Sequence, residues 1–153
     1  MSKKGHKSDI LLNDMSNEDR VDVLNDFKTG KVRVLVSTNL ISRGIDARKT
    51  SLVVNVDLPY MYKSGRVQGD RREKIDCETY LHRGGRTARF GDQGMVINLI
   101  EDDRNYRDLA VLEKEYGIKM NEATVDNFEQ VIKQSQENNE FNTGKRKYLE
   151  EDL

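Results

Sequence analysis

Four short stretches of the chain are nearly continuous in apolar residues, which is typical of strands buried on both faces of a sheet. These stretches are Asp9–Asn13, Val32–Ser37, Ser51–Asp57 and Gly94–Ile100. Segments with apolar residues at helical spacing lie between and after them. Because parallel strands are joined by helical crossovers, the pattern predicts an α/β fold with an open parallel sheet and helices on both faces.

Helix start and stop signals fit this alternation. Ser16 is a candidate N-cap, Asp19 completes a weak capping box, and Thr29–Gly30 is a stop signal. The apolar residues that this helix would place together are Val21, Leu24 and Phe27. A second helix is predicted at Cys77–Gly84.

The remaining segments divide into two helices, a loop and a tail. Asp102 or Asp103 can cap a helix whose apolar face is Tyr106, Leu109, Ala110 and Tyr116. A last helix starts at Thr124 and places Val125, Phe128 and Ile132 together. Tyr60–Asp76 is predicted as a long polar loop. We therefore expect one domain over residues 1–134 and a polar, flexible tail over residues 135–153.

Composition narrows the classes of function. The 153 residues include 26 Lys plus Arg and 27 Asp plus Glu, so the net charge of −1 gives no argument for nucleic-acid binding. Cys77 is the only cysteine in the sequence, which excludes an intrachain disulfide and a Cys-rich metal site and favours a reducing compartment. No signal peptide starts the sequence, and no apolar run approaches the ~20 residues that cross a bilayer. We expect a soluble, intracellular monomer with no membrane span.

Two polar clusters follow predicted strands, where an open α/β sheet binds its ligands. In Ser37–Asp46, hydroxyls, a glycine and a carboxylate suit a phosphate backbone and a sugar. In His82–Gly91, three arginines fall within seven residues, and the arginine side chain matches phosphate oxygens. Taken singly, each has a plainer interpretation: an ordinary βα loop, a solvated arginine face, a structural His82 or a core Phe90. Their combination favours an anionic ligand.

These clusters resemble the sequence motifs of DEAD-box RNA helicases. Ser37–Asp46 is similar to motif V, Val53–Pro59 to the strand motif that follows it, and Tyr80–Gly91 to motif VI. The resemblance runs from about Lys4 to Ile132 and looks most like the branch that remodels messenger ribonucleoprotein during mRNA export. It implies the RecA-like C-terminal lobe of a two-lobe enzyme.

The resemblance also implies roles for single residues. Arg86 and Arg89 match arginine fingers, which are worth ~10³–10⁵ in rate in related NTPases. The residues that match ATP contacts are Gly44, Asp46 (ribose) and Phe90 (adenine). Those that match RNA contacts are Arg20, Thr38, Asn39 and Gly44. Those that match coupling to the facing lobe are Arg43, His82 and Arg83.

The sequence departs from the family pattern at three positions near these residues. Gly84 replaces the usual apolar residue of motif VI, Ala88 replaces its commonest glycine, and Asn17 replaces a glutamine that often accompanies Arg20. Both changes in motif VI lie beside the arginines. We expect them to influence the direction in which the arginines point.

Other family features are absent from the sequence. It contains neither a Gly-x-x-x-x-Gly-Lys-[Ser/Thr] phosphate loop nor an Asp-Glu-Ala-Asp run. Relative to the family, the first strand and helix of the lobe, with motif IV, are also missing, which would leave an apolar sheet edge exposed. The resemblance thus implies ATP with Mg²⁺ as cofactor, with the magnesium ligands in an N-terminal RecA-like lobe, and no metal ligand in this chain.

The expected function is part of an ATP-dependent RNA helicase that unwinds RNA or remodels ribonucleoprotein, in mRNA export. The expected partners are single-stranded RNA, the N-terminal RecA-like lobe and protein activators, in the cytoplasm and nucleus including the nuclear pore. By itself the chain is expected to be inactive. The alternatives are an inactive lobe that acts as a protein- or RNA-binding module, and a DEAD-box translation or ribosome-assembly factor.

Overall fold

A computed structural model describes residues 5–38, 50–64, 72–87 and 94–137. The elements, in chain order, are β1 (Ser8–Leu11), α1 (Asn17–Lys28), β2 (Val34–Ser37), β3 (Leu52–Asn55), β4 (Tyr60–Tyr62), β5 (Arg72–Ile75), α2 (Cys77–Gly84), β6 (Met95–Asn98) and α3 (Asp103–Tyr116). Residues 128–137 are also helical. The chain divides into two compact units, Met1–Leu112 and Glu113–Leu153.

Two parallel strand pairs form the first unit's frame. β1 pairs with β2 from Ser8↔Val34 to Leu11↔Ser37, and α1 is the crossover between them. β3 pairs with β6 from Leu52↔Met95 to Asn55↔Asn98. The four predicted parallel strands are therefore present, each shorter than its apolar run. β2 ends at Ser37, the first residue of one polar cluster, and Arg83 of the other cluster contacts the Asn55 side chain at the end of β3.

The signals that predicted α1 act as expected. The Ser16 hydroxyl accepts from the Asp19 backbone N–H at 3.1 Å and donates to the Asp19 carboxylate at 2.7 Å. At the other end, Gly30 adopts a φ of 80°, which a side chain would disfavour. The predicted face is only partly buried, since Leu24 is half-buried whereas Val21 is exposed.

The segment predicted as the loop Tyr60–Asp76 contains a strand pair, which corrects that prediction. β4 and β5 are antiparallel, with Tyr60 opposite Ile75 and Tyr62 opposite Arg72. The Asp76 backbone N–H donates to the Pro59 carbonyl at 2.8 Å, at the end of the strand pair where Tyr60 lies opposite Ile75. The polar composition concealed the strands, but β4 is aromatic, and Ile75 is one of the buried apolar side chains.

Helix α3 begins at the predicted cap but buries a different face. Asp102 caps it by accepting from the Asn105 backbone N–H at 2.7 Å. Its buried side chains are Asn105 and Leu112, seven residues and about two turns apart. Tyr106 and Ala110, predicted to face the core, are exposed. The apolar spacing did not predict the buried side of α3 correctly, because a polar residue, Asn105, lies on that side.

The second unit contains a helix over residues 128–137. The Asn127 side chain accepts from the Thr124 backbone N–H at 2.7 Å in the preceding turn, so this helix starts later than the predicted Thr124. Val125 is 97% exposed and does not join a shared apolar face with Ile132, which is half-buried. Three residues of the predicted tail, 135–137, are helical. None of the described helices has the length and apolar character to cross a membrane.

Candidate functional site

Helix α2 carries the described part of the arginine cluster, and its bounds, Cys77–Gly84, are those predicted. Asp76 caps it by accepting from the Thr79 backbone N–H at 3.0 Å and from the Thr79 hydroxyl at 2.8 Å. The pKa of Asp76 lies below its usual value, chiefly because its carboxylate accepts the hydrogen bond from the Thr79 backbone N–H. His82 makes a smaller electrostatic contribution in the same direction. His82 and Arg83 lie in the last turn, where positive charge is favourable.

The Arg83 guanidinium fastens α2 to the carboxyl end of β3. Its Nη1 donates to the Asn55 side-chain oxygen at 3.1 Å and to the Asp57 backbone carbonyl at 2.7 Å. Burial lowers the pKa of Arg83, and the nearby Asp57, Tyr62 and Asp76 oppose that effect. The side chain predicted to couple to a facing lobe thus holds its own lobe together.

A chain of hydrogen-bonded polar side chains continues from Asn55. The Asn55 amide nitrogen donates to the Asn98 side-chain oxygen at 2.8 Å. The Asn98 amide nitrogen donates to the Tyr80 hydroxyl at 3.0 Å. Sequence reasoning missed all three residues as parts of the site. The available signal was an asparagine interrupting each of two apolar runs, at Asn55 and Asn98.

The turn after α2 sets the position of Arg86. The Arg86 backbone N–H donates to the Arg83 carbonyl, and its Nε donates to the His82 carbonyl, both at 3.2 Å. The buried Thr87 hydroxyl donates to the Gly84 carbonyl at 3.0 Å. The backbone of the last helical turn therefore fixes the start of the Arg86 side chain.

The two glycines of this turn differ in the space around them. A Cβ on Gly84 would lie 3.5 Å from a Val96 methyl group, which is ordinary contact. A Cβ on Gly85 would lie 3.1 Å from the Leu81 carbonyl oxygen, which is tight. The family's usual apolar residue at position 84 would thus find a neighbour here, and Gly84 leaves that contact unfilled.

The predicted RNA-binding residues are described only in part. Thr38 is exposed directly after β2, and its carbonyl accepts from the Ser37 hydroxyl at 2.7 Å. Arg20 is half-buried in α1, and its guanidinium donates to the Asn13 carbonyl. Its Nε is shielded from solvent and has no hydrogen-bond partner in the described part of the chain. Arg20 therefore tethers the β1–α1 connection.

The other predicted site residues lie outside the described residues. They are Asn39, Arg43, Gly44, Asp46, Arg89 and Phe90. Within the described ranges, no group of three or more His, Cys, Asp or Glu is arranged to hold a metal ion. The structure thus brings together His82, Arg83 and Arg86 on α2 and its terminal turn, and shows Thr38 at the end of β2.

A further polar cluster, separate from the two predicted from the sequence, joins β4–β5 to the start of α3, and we call it the hairpin clamp. It consists of Tyr60, Arg72, Asp102, Arg104 and Asn105. Arg72 pairs with Asp102 at 2.9 Å, and both Arg72 and Arg104 lie over the Tyr60 ring, at 5.2 and 5.5 Å from its centroid. Arg104 donates to the Arg72 and Glu73 carbonyls at 3.1 and 3.0 Å, and Asn105 donates to the Tyr60 hydroxyl at 2.8 Å. Burial raises the pKa of Tyr60.

Residues 1–91 match the helicase conserved C-terminal domain, a match that covers more than half of the chain and includes β1 to α2. The chain belongs to this helicase C-terminal family. Its RecA-like fold, predicted from the sequence, is confirmed by the likeness to solved C-terminal domains of DEAD-box proteins.

Relatives of this helicase lobe place it among DEAD-box RNA helicases. The ATP-dependent RNA helicase DBP5 of Yarrowia lipolytica is 40% identical over 131 residues, which are 86% of this chain and 25% of that protein. S. cerevisiae Dbp5 bound to RNA and ADP BeF3 is 34% identical with a TM-score of 0.74, covering 89% of this chain and 33% of that chain. An S. cerevisiae Dbp5 C-terminal domain bound to Gle1 and IP6 is 32% identical with a TM-score of 0.73, covering 89% and 71%. The chain spans about a quarter of the length of the curated relatives it matches.

Proposed function

We propose that this chain is part of an ATP-dependent RNA helicase, from its C-terminal lobe, that couples ATP hydrolysis to RNA unwinding or ribonucleoprotein remodelling, in mRNA export. The observation that carries the proposal is the position of Arg86. It follows a capped helix that Arg83 fastens to the end of β3, and hydrogen bonds to the His82 and Arg83 carbonyls hold it. A guanidinium held in this way suits the spread negative charge of a phosphoryl group in transfer.

The described donors fit a polyphosphate but do not form a complete nucleotide site. Arg86 supplies a planar set of N–H donors, which matches phosphate oxygens. Asp46 and Phe90 are proposed to hold the ribose and adenine, with Gly44 beside them and Arg89 as the second finger. The magnesium ligands and the phosphate loop would come from an N-terminal RecA-like lobe.

RNA is proposed to contact the lobe at the end of β2. Thr38 is exposed there, and Asn39 and Gly44 follow it in the sequence. Contacts of this kind go to phosphates and sugars and carry little base information. Support comes from S. cerevisiae Dbp5, which has been solved bound to RNA. Arg20 is proposed to join this site through its other guanidinium N–H donors, since its hydrogen bond to the Asn13 carbonyl uses one nitrogen.

A protein activator is the other proposed partner, together with the N-terminal lobe. The support is the S. cerevisiae Dbp5 C-terminal domain, which has been solved bound to Gle1 and IP6. We propose that Arg43, His82 and Arg83 transmit closure against the N-terminal lobe. The proposed location is the cytoplasm and nucleus, including the nuclear pore.

The direct test uses a two-lobe enzyme made by fusing this chain to the first lobe of the Yarrowia DBP5 relative. We expect RNA-stimulated ATP hydrolysis by the fusion and none by the chain alone. Arg86→Ala or Arg89→Ala should lower kcat by ~10³-fold or more. Arg107→Ala, which removes an exposed arginine of α3, is the matched control and should leave kcat unchanged.

Either of two results would contradict the proposal. One is ATP turnover by the purified chain without a first lobe. The other is a fusion whose kcat is the same with and without both arginines. A fusion that binds RNA but never hydrolyses ATP would favour the binding module, an alternative that the missing phosphate-loop sequence supports.

A further inference from the structure

Asn55, which is buried, and Asn98, which is half-buried, form an amide pair at the carboxyl ends of β3 and β6. They are direct partners in the parallel register. Asn55 is only 3% exposed, and its amide nitrogen lies 2.8 Å from the Asn98 side-chain oxygen. The other residues of these two strands are apolar. Because a buried amide is costly unless it is hydrogen-bonded, the buried Asn55 and its half-buried partner Asn98 in an apolar strand pair require an explanation.

The hydrogen bonds of this pair run in one direction. Arg83 has only donors, so the Asn55 side chain must turn its oxygen toward Arg83. Its amide nitrogen then faces Asn98 and donates to the Asn98 oxygen. Asn98 is left to donate through its nitrogen, and it does so to the Tyr80 hydroxyl. We call the four residues Arg83, Asn55, Asn98 and Tyr80 the amide bridge.

The amide bridge begins and ends on the same helix. Tyr80 and Arg83 are three residues apart on α2 and therefore share a face. Asn55 and Asn98 receive them on two different strands. The helix is thus held at two points against the strand ends, which restrains both its rotation and its movement along its axis.

Movement of α2 would reach Arg86 directly. The Arg86 backbone N–H bonds the Arg83 carbonyl, and its Nε bonds the His82 carbonyl. Both acceptors belong to the last turn of α2, the turn that Asn55 holds through the Arg83 side chain. A shift of this turn is therefore carried to the guanidinium.

We propose that Asn55 and Asn98 are positioning residues, which hold the last turn of α2 so that Arg86 points at its anionic ligand. This inference rests on the proposed ATPase function of Arg86. Neither asparagine contacts the ligand in this scheme, and they act through Arg83 and Tyr80. Asn55→Leu removes both hydrogen bonds at similar volume, whereas Asn55→Asp keeps the acceptor for Arg83.

The test compares Asn55→Leu with Asn55→Asp in two proteins. The two-lobe fusion is used for kinetics, and the ¹⁵N-labelled full chain is used for NMR. Asn55→Leu should lower kcat by about 10- to 100-fold, as expected for a misplaced catalytic group, while KM for RNA stays the same. Asn55→Asp should recover most of the lost kcat. In the labelled chain, the Arg86 Nε–H resonance should move in Asn55→Leu and return toward its original position in Asn55→Asp. A loss of packing alone would not produce rescue by the aspartate.

Three outcomes would overturn the inference: a folded Asn55→Leu variant with unchanged kcat, an Asn55→Asp variant as impaired as Asn55→Leu, or an unmoved Arg86 resonance. If Asn55→Leu does not fold, Tyr80→Phe removes only the far hydrogen bond and should give a smaller loss of kcat in the same direction, and an unchanged kcat there would also overturn it. If the unmutated fusion has no ATPase, the proposed function fails, and the Arg86 resonance still decides whether the amide bridge positions that side chain.

Discussion

At the scale of single residues, arginines in this lobe serve two purposes. Arg83 bonds the Asn55 side chain and the Asp57 carbonyl, and Arg104 bonds two carbonyls of β5. Arg86 follows a fixed turn and is the described candidate for ligand binding. The sequence analysis assigned Arg83 to coupling with a facing lobe and missed its contact within this lobe, because charge is visible in a sequence and a hydrogen-bond acceptor twenty-six residues away, such as Asp57, is not.

The two glycines that end α2 should respond oppositely to alanine. Gly84→Ala should raise the free energy of unfolding by about 0.5 kcal/mol, since glycine is a poor helix residue and the new Cβ only touches Val96. Gly85→Ala should lower it, because its Cβ would lie 3.1 Å from the Leu81 carbonyl oxygen. Urea denaturation of the full chain measures both. Equal effects of the two substitutions would show that the space at this turn does not decide stability.

At the scale of elements, the caps of α1 and α3 lie where local signals predicted them, whereas the Asp76 cap of α2 was not predicted. Ser16, Asp76 and Asp102 all accept a backbone N–H three residues ahead. Caps depend on neighbours in sequence, so a sequence read in isolation can reveal them. The bounds of α2 were also predicted from the sequence, but the partners that fix its orientation were not.

The Asp76 cap should make stability depend on acid. Its pKa is lower in the folded protein than the ordinary 3.8, so the unfolded chain takes up the proton first as the pH falls. The stability from this cap is therefore complete above about pH 4 to 5 and is lost as the pH drops through the folded pKa. Asp76→Ala should cost about 1 kcal/mol at neutral pH, and the difference from the unmutated chain should shrink below pH 4.

Asp76→Asn separates capping from charge. Asparagine caps helices about as well as aspartate, so this variant should stay near the unmutated stability at neutral pH. Because asparagine does not titrate, the contribution of this position to the free energy of unfolding should no longer change as the pH falls. Thermal melts from pH 3 to pH 7 measure all three proteins. If Asp76→Asn is as unstable as Asp76→Ala at every pH, the cap does not act through its hydrogen bond.

What the sequence concealed were pairings between distant segments. β4–β5 joins residues separated by a polar stretch, and the amide bridge needs the β3–β6 register before Asn55 can be placed opposite Asn98. The face of α3 was mispredicted because Asn105 turns inward to the Tyr60 hydroxyl, and an asparagine is not counted as core. Asn55 and Asn105 are buried polar residues whose hydrogen-bond partners are distant in sequence.

At the scale of the whole molecule, both parallel strand pairs expose large apolar side chains. Ile10 and Val36 are register partners and are 51% and 55% exposed. Leu52 and Val54 on β3 are also exposed and, two residues apart, share a face. Scattered apolar residues are normal on a protein surface, but paired ones form a patch that attracts other apolar groups.

The chain alone should therefore bind a hydrophobic fluorescent dye in its folded state. Val36→Thr keeps a β-branched residue in β2 and should reduce dye binding. Val125→Thr is the control, since Val125 is 97% exposed but lies in a turn of the second unit. Dye titration with circular dichroism as a check on folding measures the effect. Equal dye binding by both variants would mean that the strand pairs do not form the patch.

The hairpin clamp determines where residues can be inserted into this lobe or removed from it. Closing a loop between two fixed ends costs only about 0.6 kcal/mol more for each doubling of its length. The clamp fixes such ends at Tyr60 and Arg72 through contacts that lie on β4, β5 and α3. Residues inserted between Lys63 and Arg72 would therefore leave those contacts in place. We therefore expect the lobe to tolerate a reporter peptide inserted there, with the contacts that hold Arg86 unchanged.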